Sequence, residues 1–240
     1  MKDKYLQFVE DKENDVTELY IYGDIRKGSI WERIWEIEDP TRTGAYDFAE
    51  KLKSVATSQI RVRINSNGGS VSEGLAIYNL LKASSKKIIT VCDGYAASAA
   101  SVIYCAGEVR IQPKTALLMI HNAWTYGGEG NANYFRKLAD DLEKISQPSV
   151  EAYKSVSSLS EDEIKNLMNN ETWITADEAK EWGFTTEISG EEDAKQSLGK
   201  DYMYNLVITN KELLKRIEEL EKAKEPVEQN SWDNWFGIKK

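Results

Sequence analysis

Apolar and polar positions alternate along this chain in two rhythms, one of period two and one near 3.6, and the segments that carry them take turns. The run "VTELYIYGDI" (16–25) is β-branched and aromatic with Gly23 near its end, which predicts a strand. "AYDFAEKLKSVA" (45–56) has the spacing of an amphipathic helix, and "QIRVRIN" (59–65) alternates strictly as a strand does. The loop "SNGGSVSEG" follows, in which Ser70 and Glu73 have the spacing of a capping box opening the helix "VSEGLAIYNLLKAS". "KKIITVC" predicts the next strand, and the small-residue run "DGYAASAAS" (93–101) a turn into a short helix ending near Ala106. "EVRIQP" and "TALLMIH" predict two more strands. After the loop "NAWTYGGEGNAN" a helical pattern runs from Ala132 to Ser157, with Pro148 expected to kink or break it. Ser160 with Glu163, and Thr175 with Glu178, are capping boxes on either side of the short strand "ETWI", and Gly183 ends the last of these helices.

The remaining stretches read differently. Residues 1–15 are polar and predict a loose arm. Within 27–44, Ile30, Ile34 and Trp35 have helical spacing before Pro40 stops it. Near the end, Leu206, Leu213 and Leu220 recur every seven residues on a charged helix, and the aromatic tail "SWDNWFGIKK" follows the linker "KAKEPVEQN". That tail is either a partner-docking peptide or folds back on its own domain. The expected organisation is an arm (1–15), an α/β domain (16–204) and a C-terminal helix with its tail (205–240). Strands alternating with helices argue the α/β class.

Charge and composition narrow the function. With 41% apolar and 30% charged residues the chain is globular, and a formal charge of -9 argues against nucleic acid and anionic lipid as partners. No apolar run has the roughly 18 residues of a membrane span, and "MKDKYLQFVEDKEN" lacks the apolar region of a secretory signal. Two cysteines, Cys92 and Cys105, are too few for a disulfide framework and, with one histidine, for a zinc site. A cytoplasmic protein without metal or cofactor is expected.

His121 is the chain's single histidine and closes a strand at the start of a glycine-containing loop. Any imidazole base must be this residue, although a lone histidine is more often structural. A nucleophilic serine needs such a base, an acid to orient it and donors for an oxyanion. Ser98, at a strand-to-helix turn, would lie beside helical amides that lack intrahelical acceptors. The "NGG" glycines let further amides approach a substrate carbonyl. Taken singly, "NGG" is equally a tight turn and "GYAASAAS" equally a device for close helix packing.

Together, "INSNGGSVSEGLAIYNLL", "GYAASAAS", "LLMIH" and "ETWITADEAKEWGF" resemble the ClpP family of serine peptidases, the caseinolytic protease proteolytic subunits, in order and spacing over about Val16 to Ile188. The resemblance implies a ClpP/crotonase-like fold of stacked β-β-α units, here with a C-terminal helical extension. It implies heptameric rings, stacked into a tetradecamer through the long helix, that enclose polypeptide substrate. It places the nucleophile on Ser98, with Ser101 a poorer match one turn further in and packed. The base falls on His121 and the acid on Glu171, where the family commonly has aspartate; Asp177 and Glu178 belong to a helix start, Asp140 and Asp141 to a solvated helix face. The oxyanion donors fall on the amides of Gly69 and Ala99, and the substrate-binding loop on Asn67 and Gly68, with Asn67 replacing the family's usual proline. Glutamate in the triad and the unmatched C-terminus resemble the phage and prophage branch, the head-maturation proteases, whose substrates are capsid or scaffold precursors. The expected activity is ATP-independent serine endopeptidase chemistry through an acyl-enzyme. The alternatives are a non-catalytic assembly protein, a housekeeping subunit fed by an AAA+ unfoldase, and the acyl-CoA hydratases and isomerases that share the fold.

Overall fold

The computed structural model describes residues 8–29 and 42–190. The helical spacing of Ile30, Ile34 and Trp35, the heptad leucines and the aromatic tail lie outside these residues. Within these residues nine strands form one sheet: β1 (Phe8–Asp11), β2 (Val16–Ile25), β3 (Arg42–Thr43), β4 (Gln59–Gly69), β5 (Lys87–Ala97), β6 (Val109–Pro113), β7 (Leu117–Ile120), β8 (Thr172–Ile174) and β9 (Glu187–Ser189). Among the described residues six helices accompany them: α1 (Ala45–Lys53), α2 (Val71–Lys82), α3 (Ala99–Tyr104), α4 (Ala132–Lys154), α5 (Glu161–Asn169) and α6 (Ala176–Trp182).

The sheet order is β1-β2-β4-β5-β6-β9, with β2, β4, β5, β6 and β9 mutually parallel. Parallel strands joined by helices read as long apolar runs, because helices cover them. Leu19 and Ile21 of β2, Ile60, Val62 and Ile64 of β4, and Cys92 and Ala96 of β5 form the core with Ile77 and Leu81 of α2 and Ile103 and Tyr104 of α3.

Two strands continue where the sequence predicted loops. β4 runs on through "SNGG" and β5 through "DGYAA" as far as Ala97. Glycines there do not end the strands; they accommodate irregular pairing. Ile64 pairs with Cys92 but Ser66 pairs with Ala96, so β5 holds two extra residues and bends. The bend is stitched by polar contacts. Asp93 accepts from the Tyr22 hydroxyl at 2.8 Å and from Arg63 Nε at 3.0 Å, and Asn65 Oδ1 accepts from Tyr95 N–H at 3.2 Å. Beyond the bend β5 changes partner. Its first half pairs with β6 and its end, Tyr95–Ala97, with β7. This fork brings β7, and therefore His121, alongside the β5–α3 turn.

Several local expectations fail for tertiary reasons. The first fifteen residues include β1, antiparallel to β2, and β9 pairs with β6 without a local sequence signal. α4 is one helix through Pro148. Its C-terminal half is anchored by buried Val150, Ala152 and Tyr153, which offsets the missing proline N–H. The boxes at Ser160/Glu163 and Thr175/Glu178 form as predicted, and Gly183 caps α6 at φ 90°. The box at Ser70/Glu73 does not. Ser70 makes no side-chain cap, and Glu73 Oε2 instead accepts from Ala45 N–H at 2.8 Å. That amide opens α1, whose N-cap Gly44 has no side chain to offer. Glu73→Ala is therefore expected to cost about 1 kcal/mol in urea denaturation, within the usual range for a lost cap, whereas Ser70→Ala is expected to leave the midpoint unchanged.

Candidate active site

Ser98 follows the last residue of β5 and is the N-cap of α3, with φ 55° and ψ -126°. Positive φ on a non-glycine residue costs on the order of 1–3 kcal/mol and persists only where neighbours impose it. Here they do. Ser98 N–H donates to Met119 O at 2.9 Å, and Ser98 O accepts from Ser101 N–H at 3.0 Å and Ser101 Oγ at 2.7 Å. Ser101 Oγ also meets the Tyr153 hydroxyl at 2.8 Å, deep in the core. Ser101 is thus packed, as expected, and its role is to hold the Ser98 backbone. Tyr153, contributed by α4, was not foreseen; nothing near it in sequence points to the turn.

The Ser98 side chain does not cap α3. Its Oγ lies 2.7 Å from His121 Nε2. For Ser98 to donate, the imidazole proton must be on Nδ1. His121 is half-buried; burial holds its pKa below the ordinary histidine value, and the charge of Glu171 works in the opposite sense. Burial thus favours the neutral imidazole. Neither cysteine competes as nucleophile: both are buried and free, and burial pushes the Cys105 thiol up to about 12.

Glu171 stands between α5 and β8 at φ 47°, its N–H donating to Met168 O at 3.2 Å. β7 and β8 are antiparallel, pairing Met119 with Trp173 and Ile120 with Thr172. One residue beyond the ladder, the same register sets Glu171 across from His121. The carboxylate is exposed, and its action on the imidazole is through space rather than through a hydrogen bond. The left-handed position at the end of α5 usually belongs to glycine or asparagine, and here a charged side chain holds it. Asp177 and Glu178 lie at the start of α6, and Asp140 and Asp141 on α4, all as expected.

The glycine loop presses on the same turn. A Cβ on Gly68 would lie 2.6 Å from Ala97 O, 2.7 Å from Ser98 Cβ and 2.9 Å from Ala99 N. Only a glycine, here at φ 94°, leaves the Ala99 amide open from this side. As the first residue of α3, Ala99 has no intrahelical acceptor for that amide. Gly68 N–H is already bound to Ser66 Oγ at 3.0 Å. Gly69 and Asn67 are exposed, and Ser70 N–H donates to Ile25 O at 2.7 Å at this end of β4. The run "GYAASAAS" serves both purposes weighed for it. Gly74 of α2 lies so close to Ala99 that an added Cβ would be 2.8 Å from Ala99 Cβ, while Ser98 remains open to His121. Immediately past His121, a pocket of about 390 Å³ opens between α4 and α5, lined among others by Asn122, Ala123, Leu142, Ser146 and Val150.

The Clp protease family model matches residues 45–192. The chain belongs to the Clp protease family. It is 31% identical over 183 residues to an ATP-dependent Clp protease proteolytic subunit of Bacteroides fragilis, a match covering 75% of this chain and 88% of that one. The corresponding protein of Bacteroides thetaiotaomicron is 29% identical over 183 residues, covering 75% and 83%. A solved structure, that of a ClpP1 mutant from Listeria monocytogenes, superposes with a TM-score of 0.57 at 23% identity over 74% of this chain and 93% of the other, a likeness of fold. The fold is thus the ClpP/crotonase-like one, while the C-terminal extension lies outside the described residues. No helix among the described residues is long and apolar enough to cross a membrane.

Gly68→Ala is expected to lower stability by at least about 1–2 kcal/mol, the cost of a left-handed L-residue, before any clash is added. Gly127→Ala, whose Cβ would meet nothing nearer than Phe135 at 3.7 Å, serves as the neutral control in the same denaturation experiment.

Proposed function

We propose that this chain is a serine endopeptidase in which Ser98 attacks the peptide carbonyl and His121 takes its proton. The supporting observation is the 2.7 Å contact between Ser98 Oγ and His121 Nε2 at a backbone turn held in a strained conformation. As the Oγ–carbonyl bond forms, the proton passes to Nε2. His121 then returns it to the leaving amine as the C–N bond breaks. Water, deprotonated by the same imidazole, hydrolyses the ester, and no ATP enters these steps. Glu171 stabilises the imidazolium by its charge. The amides of Gly69 and Ala99 bind the oxyanion, each such donor being worth roughly 3–4 kcal/mol. Asn67 and Gly68 shape the edge along which an extended substrate lies, and the pocket beyond His121 receives one of its side chains.

The proposal extends to assembly. Ring formation is supported by family membership and by the long, half-exposed α4, and it gives Glu171 a route to a closer approach to His121. A phage-type role in processing capsid or scaffold precursors rests on the glutamate and on the C-terminal extension. A second reading, in which an ATP-driven unfoldase feeds the chain, is supported by the relatives named as ATP-dependent subunits. Cleavage of a folded protein only with ATP and such a partner, but of short peptides without either, would favour it. The non-catalytic alternative predicts no peptide cleavage at all.

The test is the pH profile of kcat/KM on a short peptide. Ser98→Ala is expected to lose about 10⁴-fold or more. Wild type should rise with pH through a pKa below the ordinary histidine value near 6.5. Glu171→Gln removes the charge that raises the His121 pKa, so the rising limb moves to lower pH. The plateau falls by about 10–100-fold, less than the ~10⁴ seen where an acid is hydrogen-bonded to its histidine. A limb that stays in place or moves upward contradicts the assignment of Glu171.

A further inference from the structure

β8 carries the acid on a short support. It has three residues, pairs among the described residues with β7 alone, and is tied to α5 by Thr172 Oγ1 donating to Leu167 O at 2.7 Å. The Glu171 side chain has no hydrogen bond among the described residues, so its position relative to His121 is set by where β8 lies. Trp173 pairs with Met119, so the two lie on one face of the β7–β8 ladder together with Leu117. The opposite face is core: Leu118, Ile120 and Ile174 are fully buried. On the site face, Trp173 reaches past β7 to Tyr95 of β5. Their rings are 5.4 Å apart between centroids and inclined at 66°, an edge-to-face pair.

Tyr95 is itself fixed. Its N–H donates to Asn65 Oδ1, it pairs with Leu117, and it stands three residues before Ser98 on the same chain. The ring contact is a side-chain link between the nucleophile's strand and the acid's strand that bypasses β7. Both rings remain about half exposed, at 46% and 47%, so burial of a core does not account for the arrangement.

We propose that the Tyr95–Trp173 pair is a positioning device, which ties β8 to β5 and so holds Glu171 across from His121. The inference rests on the assignment of Glu171 as the acid. Trp173 and Tyr95 do not touch the reacting atoms; they act through the carboxylate. The charged group acting on His121 is Glu171, just before β8. Ser98 faces it from the β5–α3 turn, Asn122 and Asn169 are neutral, and Glu143 and Lys165 line the pocket beyond.

The experiment is the pH profile of kcat and KM for the full chain with Trp173→Ala, Tyr95→Ala and Trp173→Phe, each also combined with Glu171→Gln, with the assembled mass measured throughout. Because the residues lie on different strands and are half exposed, at least one alanine variant should fold. Each alanine variant is expected to lower kcat about three- to tenfold, the span of an aromatic pair, with KM little changed. The rising limb should move to lower pH, in the direction of Glu171→Gln. Trp173→Phe, which keeps an edge contact, should restore most of the rate, and in the Glu171→Gln background the alanine variants should add less than about twofold. Full additivity in that background, or unmoved kcat and pH limb, overturns the inference. So does a KM effect confined to substrates with large apolar side chains, which would make the pair a substrate subsite, or a changed mass, which would make it a contact between copies. If Glu171→Gln itself leaves the limb in place, the underlying assignment of the acid fails instead.

Discussion

The site depends on how closely the end of β4 lies against the β5–α3 turn. A Cβ at Gly68 would collide with Ala97, Ser98 and Ala99, so only a glycine lets β4 lie this close to the turn, where Ser98 is held at φ 55°. A relaxed turn would carry the hydroxyl toward the α3 amides, where serine ordinarily caps a helix. Held as it is, the hydroxyl faces His121. Ser101 and Tyr153 press from the other side. The strain is small beside the number of contacts that oppose its release.

The fork in β5 supplies the second requirement. A strand that paired with one neighbour along its whole length could not bring β7 to its end. Two extra residues, stitched by Asp93 and Asn65, turn β5 from β6 to β7. β7 delivers His121 beside Ser98, and its antiparallel partner β8 delivers Glu171 across from His121. Ser98, His121 and Glu171 thus flank the ends of three adjacent strands, and sheet register brings those ends together.

What could be read from the sequence divides along the range of the interactions. Ser160 with Glu163 and Thr175 with Glu178 were legible because both partners lie within one turn. Ser70 with Glu73 has the same spacing, but Ala45 from another helix takes the carboxylate, which no local pattern shows. Gly68 and Gly94 look like strand ends and are places where strands bend in close contact. β1 forms a hairpin with β2 that its polar sequence does not signal, and β9 exists through β6, far away in sequence. The residues at Ser98, His121 and Glu171 came from motif resemblance, and the geometry brings the first two into hydrogen-bond contact and the third into electrostatic range. Tyr153 and the Tyr95–Trp173 pair could not have been found, since their partners are set only by the folded sheet.

The central claim is that His121 activates Ser98. Its most direct test is treatment with a fluorophosphonate followed by peptide mass spectrometry, with Ser98→Ala and His121→Ala as controls. The account predicts a single adduct on Ser98 that forms orders of magnitude more slowly when His121 is replaced. An unlabelled protein, or an adduct whose rate ignores His121, would contradict it.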